Sequence, residues 1–217
     1  ELLHRRHHGQ HAALGKAAVA DLAALRAHHA AGFAHRVRRE VVVEQEVFLV
    51  LAANGVDDHL LLLEHPHTYT LGVRADASHV LVDPATVGAE LVHADRGGDV
   101  TYHGPGQIVG YPVLWLPGKG GGDLPDTGAY VCQVEQLLID TLADLGVTGA
   151  ARLDGFPGVW IDPNGPRPRK IAAIGVRIVR GRSLHGFALN VDADLDMFGH
   201  IVPCGITDKG VTSIAAE

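Results

Sequence analysis

The sequence predicts an α+β domain (α/β in the broad sense), a mixed, largely antiparallel sheet packed with helices. Two observations carry this. Apolar residues recur at helical steps in two separate stretches, 12–38 and 127–145. Short apolar runs punctuated by Gly, Pro, Asn and Asp fill the middle and the final third, grouped as hairpins would group them. With 217 residues, 47% of them hydrophobic, the chain can bury one good core, and a single domain over 1–217 is expected. The chain starts without Met, as a trimmed one would.

In chain order, Leu14, Ala18, Leu22, Leu25, His29 and Phe33 share one face of the first helix. His59 to His65 is a continuous apolar run closed by Pro66, the pattern of a strand buried on both faces. Tyr69 to Gly72 reads as a short extended piece, and Pro84 starts a turn or short helix. Glu90 to Ala94 and Val100 to His103 read as strands on either side of Arg96-Gly97-Gly98, followed by another from Gln107 to Leu116. The second helix runs from Thr127 to Leu145 and stops at Gly146. It carries Cys132, expected as a packed thiol because buried free Cys usually behaves as a small hydrophobe. Strands come next at Gly158–Asp162, Lys170–Val179 and Ser183–Val191, with a Pro163–Pro166 turn and a Gly181 hairpin between them.

A net charge of −7 argues against nonspecific binding to nucleic acid or an anionic membrane surface. Glu1 to His8 contain no signal-peptide core, no apolar run approaches the roughly 20 residues of a membrane helix, and two cysteines make no disulfide framework. The cytoplasm is the expected compartment. Fifteen histidines invite a metal, but His4, His7, His8, His11, His28, His29, His65 and His67 form no ligand pattern, so no metal is expected. There is no G-x-S-x-G elbow for a serine hydrolase.

Three stretches carry chemistry. In Arg96-Gly97-Gly98-Asp99-Val100-Thr101-Tyr102-His103-Gly104-Pro105-Gly106-Gln107, five of twelve residues are Gly or Pro, set among hydrogen-bonding side chains. Such a backbone lets a ligand approach bare amides, while its spacing matches neither a P-loop nor a dinucleotide fingerprint. His200 to Ile206 holds Cys204 between Pro203 and Gly205, where a thiol could project into a cleft. In the third, Lys170 opens an apolar strand. Partial desolvation there would lower its pKa and fit it for proton transfer, and its charged form beside a thiol would favour thiolate.

Together these stretches resemble the lipoyl(octanoyl) transferase family. The matching pieces are RGGDVTYHGPGQ at 96–107, KIAAIG at 170–175, HGFALN at 185–190, Pro203-Cys204-Gly205 and Val211-Thr212-Ser213, in the family's order. The likeness covers His59 to Glu217. It departs at Ala173, where many relatives carry Ser, and in ending soon after Ser213, where relatives usually continue. The resemblance implies the fold of the biotin and lipoate protein ligase catalytic domains. It makes Cys204 the acyl-thioester nucleophile and Lys170 the residue that tunes it and shuttles protons. Arg96, Gly97, Gly98, Asp99, Val100, Thr101, Tyr102, His103, Ala173, Ile174, Gly175, Gly186, Phe187 and Ala188 would line the substrate site.

The implied reaction takes octanoyl from octanoyl acyl carrier protein onto Cys204 and then onto a lysine amine of a lipoyl domain. Acceptors would be 2-oxoacid dehydrogenase complexes or the glycine cleavage H protein, and no cofactor is needed. Rival readings are an ATP-dependent lipoate or biotin ligase on the same fold, a noncatalytic acyl-binding module, and a cysteine hydrolase. Finally, Arg167, Arg169, Lys170, Arg177, Arg180 and Arg182 occur between Pro163 and Val191 with no Asp or Glu among them. They suggest a basic rim at the Lys170 end of the pocket that would steer an acidic carrier protein.

Overall fold

The computed structural model describes residues 58–217. The expected first helix lies outside them. Two sheets, not one, organise the described residues. The large sheet has the order β1-β5-β9-β8-β7-β6, built from β1 (His59–Leu63), β5 (Gln107–Val113), β6 (Ala150–Leu153), β7 (Phe156–Ile161), β8 (Arg169–Val179) and β9 (Arg182–Asn190). These neighbours are antiparallel, and a two-residue β10 (Gly210–Val211) adds a parallel pairing to the start of β8. The small sheet has the order β3-β2-β4, from β2 (Thr68–Leu71), β3 (Glu90–His93) and β4 (Val100–His103). β2 pairs parallel to β3 and antiparallel to β4.

The single described α-helix, α1 (Thr127–Asp144), starts where the Asp126 side chain accepts from the Ala129 amide and ends at Gly146, whose φ of 86° breaks the helical path. Its Tyr130, Val134, Leu138 and Leu142 pack on Val159, Ile161, Ile171 and Leu189 of the large sheet, forming the main core. One buried charge on this face, Glu135, receives Arg152 Nε at 3.0 Å and the Gly158 amide at 3.0 Å. A second core joins Tyr69, Leu71, Val100 and Tyr102 of the small sheet to Met197, Phe198 and Ile201.

Three expectations are corrected. β1 is half-buried along its length because it sits at one end of the described sheet, bonded only to β5 among the described residues. Cys132 is exposed: it falls outside the stripe that Tyr130, Val134 and Leu138 turn inward. The Gly181 hairpin forms as expected, with Arg180 and Gly181 at φ 50° and 81°, but the basic rim does not. Strands rise about 3.3 Å per residue, so Arg180 and Arg182 lie roughly 30 Å from Lys170, at the opposite end of β8. Arg169 is paired with Glu217, Arg177 with Asp95, and Arg182 is buried beside Asp58 and the Trp115 ring.

Candidate active site

The site lies where the small sheet meets the middle of β8 and β9. The connection from β3 to β4 arches over the end of β2, where the amides of Gly72, Val73 and Arg74 donate to the carbonyls of Asp99, Arg96 and Gly98. Its Gly97 amide donates to Val176 O at 3.0 Å, fastening the arch to the large sheet. That contact depends on a bare strand: a Cβ on Gly175 would meet Arg96 Cδ at 3.0 Å and Gly97 O at 3.1 Å. Gly175 stands opposite Gly186, and the flanking pairs are Ile174 with Phe187 and Ala173 with Ala188.

This arrangement leaves an open cleft of about 780 Å³, its solvent-filled mouth included. Arg96, Gly97, Gly98, Asp99, Thr101, His103, Ala173, Ile174, Gly175, Gly186, Phe187, Ala188 and Cys204 all line it. Val100 and Tyr102 do not. Successive strand residues face opposite sides, and these two turn into the second core with 0% exposure.

Arg96 is buried, and its guanidinium is engaged by the protein itself. Nη2 donates to Thr70 O at 2.6 Å and Thr70 Oγ1 at 2.7 Å, and Nη1 donates to Gly97 O at 3.1 Å. Burial pushes its pKa below the usual arginine value, opposed by the negative forms of Cys204, Tyr111 and Asp99. It thus fixes the arch while setting a positive charge near the thiol. Below it lies a layer of neutral histidines. His103 donates from Nδ1 to Gln107 Oε1 at 2.7 Å, because the Gln107 amide nitrogen already donates to Tyr102 O and Asn190 Oδ1. Burial, then His65 and Arg96, push His103 down to about 3. Burial takes His65 down to about 4. Burial, Arg96 and Arg177 take His185 to about 4, although Asp95 sits 2.6 Å from its Nε2. A neutral ring that donates its Nε2–H satisfies both facts, since Asp95 is also shared with Arg177.

Cys204 occupies a short turn, Pro203–Gly205, with φ 57° and ψ 21°. A non-glycine residue in this left-handed region costs about 1 kcal/mol, a strain the surrounding contacts must hold. Lys170 Nζ lies 3.8 Å from Cys204 Sγ and 4.7 Å from the centroid of the Trp160 ring. Two strands fix the lysine from either side, with Trp160 its partner on β7 and Val211 its partner on β10. The structure thus brings together the two residues singled out in the sequence, 34 positions apart.

Several participants have no local signal. His79 Nδ1 meets Asp99 Oδ2 at 2.5 Å, and its ring flanks Gly205. Its carbonyl accepts from the Val202 amide at 2.8 Å, so the His79–Asp99 pair ties the arch to the cysteine turn. Thr70 and Lys209 are equally unmarked. Only Trp160, in an apolar strand entering the site region, leaves a trace in the sequence.

The chemistry available is nucleophilic. A thiol on a tight turn faces an amine able to exchange its proton, beside a cleft whose walls mix apolar residues and backbone. The chain is 52% identical to the octanoyltransferase of Salinispora arenicola over 162 residues, 74% of this chain and 71% of that one. It is 56% identical to the octanoyltransferase of Gloeobacter violaceus over 150 residues, 69% of this chain and 62% of that one. In fold it is similar to lipoate-protein ligase A bound with ATP, at a TM-score of 0.55 and 20% identity, over 74% of this chain and 65% of that one. Residues 37–217 match the model of the lipoyl protein ligase A/B catalytic domain, and the chain belongs to that family.

Proposed function

We propose that this chain is an octanoyltransferase that works through a thioester on Cys204. It moves an octanoyl group from a thioester donor to a lysine amine of a lipoyl domain, a step in protein lipoylation. Similarity to octanoyltransferases at about half identity supports the reaction. The single observation that supports the mechanism is Lys170 Nζ at 3.8 Å from Cys204 Sγ.

In the first half-reaction the thiol proton passes to Lys170 and the Cys204 sulfur attacks the donor's carbonyl carbon. The carbon–sulfur bond to the donor breaks, and the departing thiolate recovers the proton from Lys170. In the second, the acceptor amine attacks the Cys204 thioester and gives its proton to Lys170, the carbon–sulfur bond to Cys204 breaks, and Lys170 returns the proton to the departing Cys204 sulfur. Arg96, held by Thr70, keeps a positive charge beside both tetrahedral intermediates. The donor is octanoyl acyl carrier protein, and the acceptors are lipoyl domains of 2-oxoacid dehydrogenase complexes or the glycine cleavage H protein.

Intact-mass spectrometry tests this directly. Incubation with octanoyl carrier protein, without ATP, should add one octanoyl group, and a lipoyl domain should then discharge it onto its own lysine. Cys204→Ser should carry no labile adduct and transfer nothing. A requirement for ATP, or full transfer by Cys204→Ser, overturns the mechanism.

A further inference from the structure

Transfer through a cysteine thioester places three groups at one sulfur: the acyl chain, the departing thiol and the arriving amine. The acyl chain stays bound through both half-reactions, whereas thiol and amine are never attached at once. Two binding regions meeting at Cys204 are therefore sufficient, one held throughout and one exchanged.

The structure has two clefts that meet there. The first is the 780 Å³ cleft beneath the arch. The second, also open to solvent, spans about 450 Å³ with its mouth included and is lined by Lys170, Trp160, Asn190, Ile206 and Lys209, together with Cys204. Thr101, Ala173, Ala188 and Cys204 belong to both, so they form the wall between them. The two differ in chemistry. The first sets polar Arg96, Asp99, His103 and His185 beside a stretch of backbone and apolar groups, Gly97, Gly98, Gly175, Gly186, Ile174 and Phe187, along which a hydrocarbon chain can lie. Lys170 lines the second and not the first. The group that moves protons must face the atoms that gain and lose them, which are the departing sulfur and the arriving nitrogen.

Lys209 gives the second cleft a recognition element. Its ammonium lies 4.4 Å from the Phe156 ring centroid and its side chain is only 13% exposed. One of its three N–H donors is met by Asp208 Oδ2 at 2.8 Å, and Asp208 itself is 73% exposed. The β7 aromatics Phe156 and Trp160 pack edge to face, so both lysines rest on one aromatic wall.

We propose that this second cleft is an exchange channel. It takes in turn the amide-bearing thiol arm of the acyl donor and the lysine side chain of the acceptor. Lys209 is its specificity-determining residue and donates a hydrogen bond to an amide carbonyl of the thiol arm. The inference rests on the octanoyl-transfer reading and assigns the two sides of its sulfur.

Single-turnover acylation of the full chain with two small donors tests it: octanoyl-pantetheine, which carries the amide arm, and octanoyl-ethanethiol, which lacks it. Lys209→Met keeps the aliphatic stem on Phe156 and removes the donor. It should raise the KM for octanoyl-pantetheine about five- to tenfold, leave kcat within about twofold, and leave octanoyl-ethanethiol unchanged. Ile206→Trp narrows the channel, and should slow acylation by octanoyl-pantetheine and discharge to an amine while preserving acyl-length preference. Val92→Phe, which fills only the first cleft, should shift preference toward shorter acyl chains equally for both donors. If Lys209→Met affects both donors alike or neither, or if Val92→Phe alters discrimination between the two thiols, the channel assignment is wrong. If the unmodified protein forms no adduct on Cys204 with either donor, the octanoyl-transfer reading has failed instead.

Discussion

The β8–β9 hairpin carries cations at both ends, and the two ends do different work. At one, Lys170 is held between β7 and β10, rests on Trp160 and faces a thiol. At the other, Arg182 is buried beside Asp58 and Trp115, while Arg180 sits exposed in the turn. Both ends are basic in sequence, yet only one presents its charge to a reactive group. The role of a cation depends on the groups the fold sets opposite it, more than on its neighbours in the chain.

The largest expected effect is at the first end. Lys170→Ala should slow Cys204 acylation by about 10²-fold or more, the usual scale for a general acid/base group, while the protein stays folded. Single-turnover mass spectrometry with circular dichroism would check it, and acylation within threefold of normal would erase the contrast.

A second effect belongs to the histidine layer beneath the site. His65, His103 and His185 have folded-state pKa values lowered to about 4, 3 and 4. A lowered histidine pKa means the unfolded chain binds more protons than the folded one between those values and about 6.5. Stability is therefore fully present above pH 6.5 and lost as pH falls toward 4, by up to about 1.4 kcal/mol per pH unit for each histidine. Thermal melts from pH 7 to pH 4 should show this slope, and His185→Gln should flatten it. An unchanged slope in that variant would remove His185 from the linkage.

The smallest effects lie at the far end. Arg182→Ala should cost about 1–3 kcal/mol of stability with per-molecule transfer activity intact, the signature of a buried structural charge. Arg180→Glu should change stability by no more than about 0.5 kcal/mol and leave the KM for octanoyl carrier protein unchanged. A raised KM in that variant would restore the hairpin as a docking surface.

Much of this was legible from local rules. The stop of α1 at Gly146, the hairpin at Arg180-Gly181 and the glycine-rich arch at 96–99 each follow from a backbone demand written in a few adjacent residues. Local rules failed where distance in space differs from distance in sequence. Arg180, in the turn just past the end of β8, is ten residues from Lys170 near its start, and along a strand that separation is a length, whereas in a loop it could have been a neighbourhood. His79 and Asp99 meet across twenty residues with nothing in either segment to announce it. Cys132 shows another kind of failure. The helical period of Tyr130, Val134 and Leu138 leaves it off the buried stripe, and a rule about cysteine as a residue type overrode the more informative geometry. Strand alternation separates Thr101 and His103 from Val100 and Tyr102, but which pair faces the cleft depends on the second core, assembled from residues near 200.

The facing glycines of β8 and β9 restrict how this enzyme could be retuned. A side chain on Gly175 would run into Arg96 and Gly97, and one on Gly186 would run into the carbonyl of Gly110 and the ring of Pro112. The cleft there is paved with main chain, and main chain offers a designer or a lineage nothing to vary. β3 residues such as Val92 and His93, which line the same space from the edge of the small sheet, do offer side chains to vary. Selection on chain length should therefore leave its marks on that strand, and a library aimed at new acyl groups is better spent on β3 than on the glycine floor.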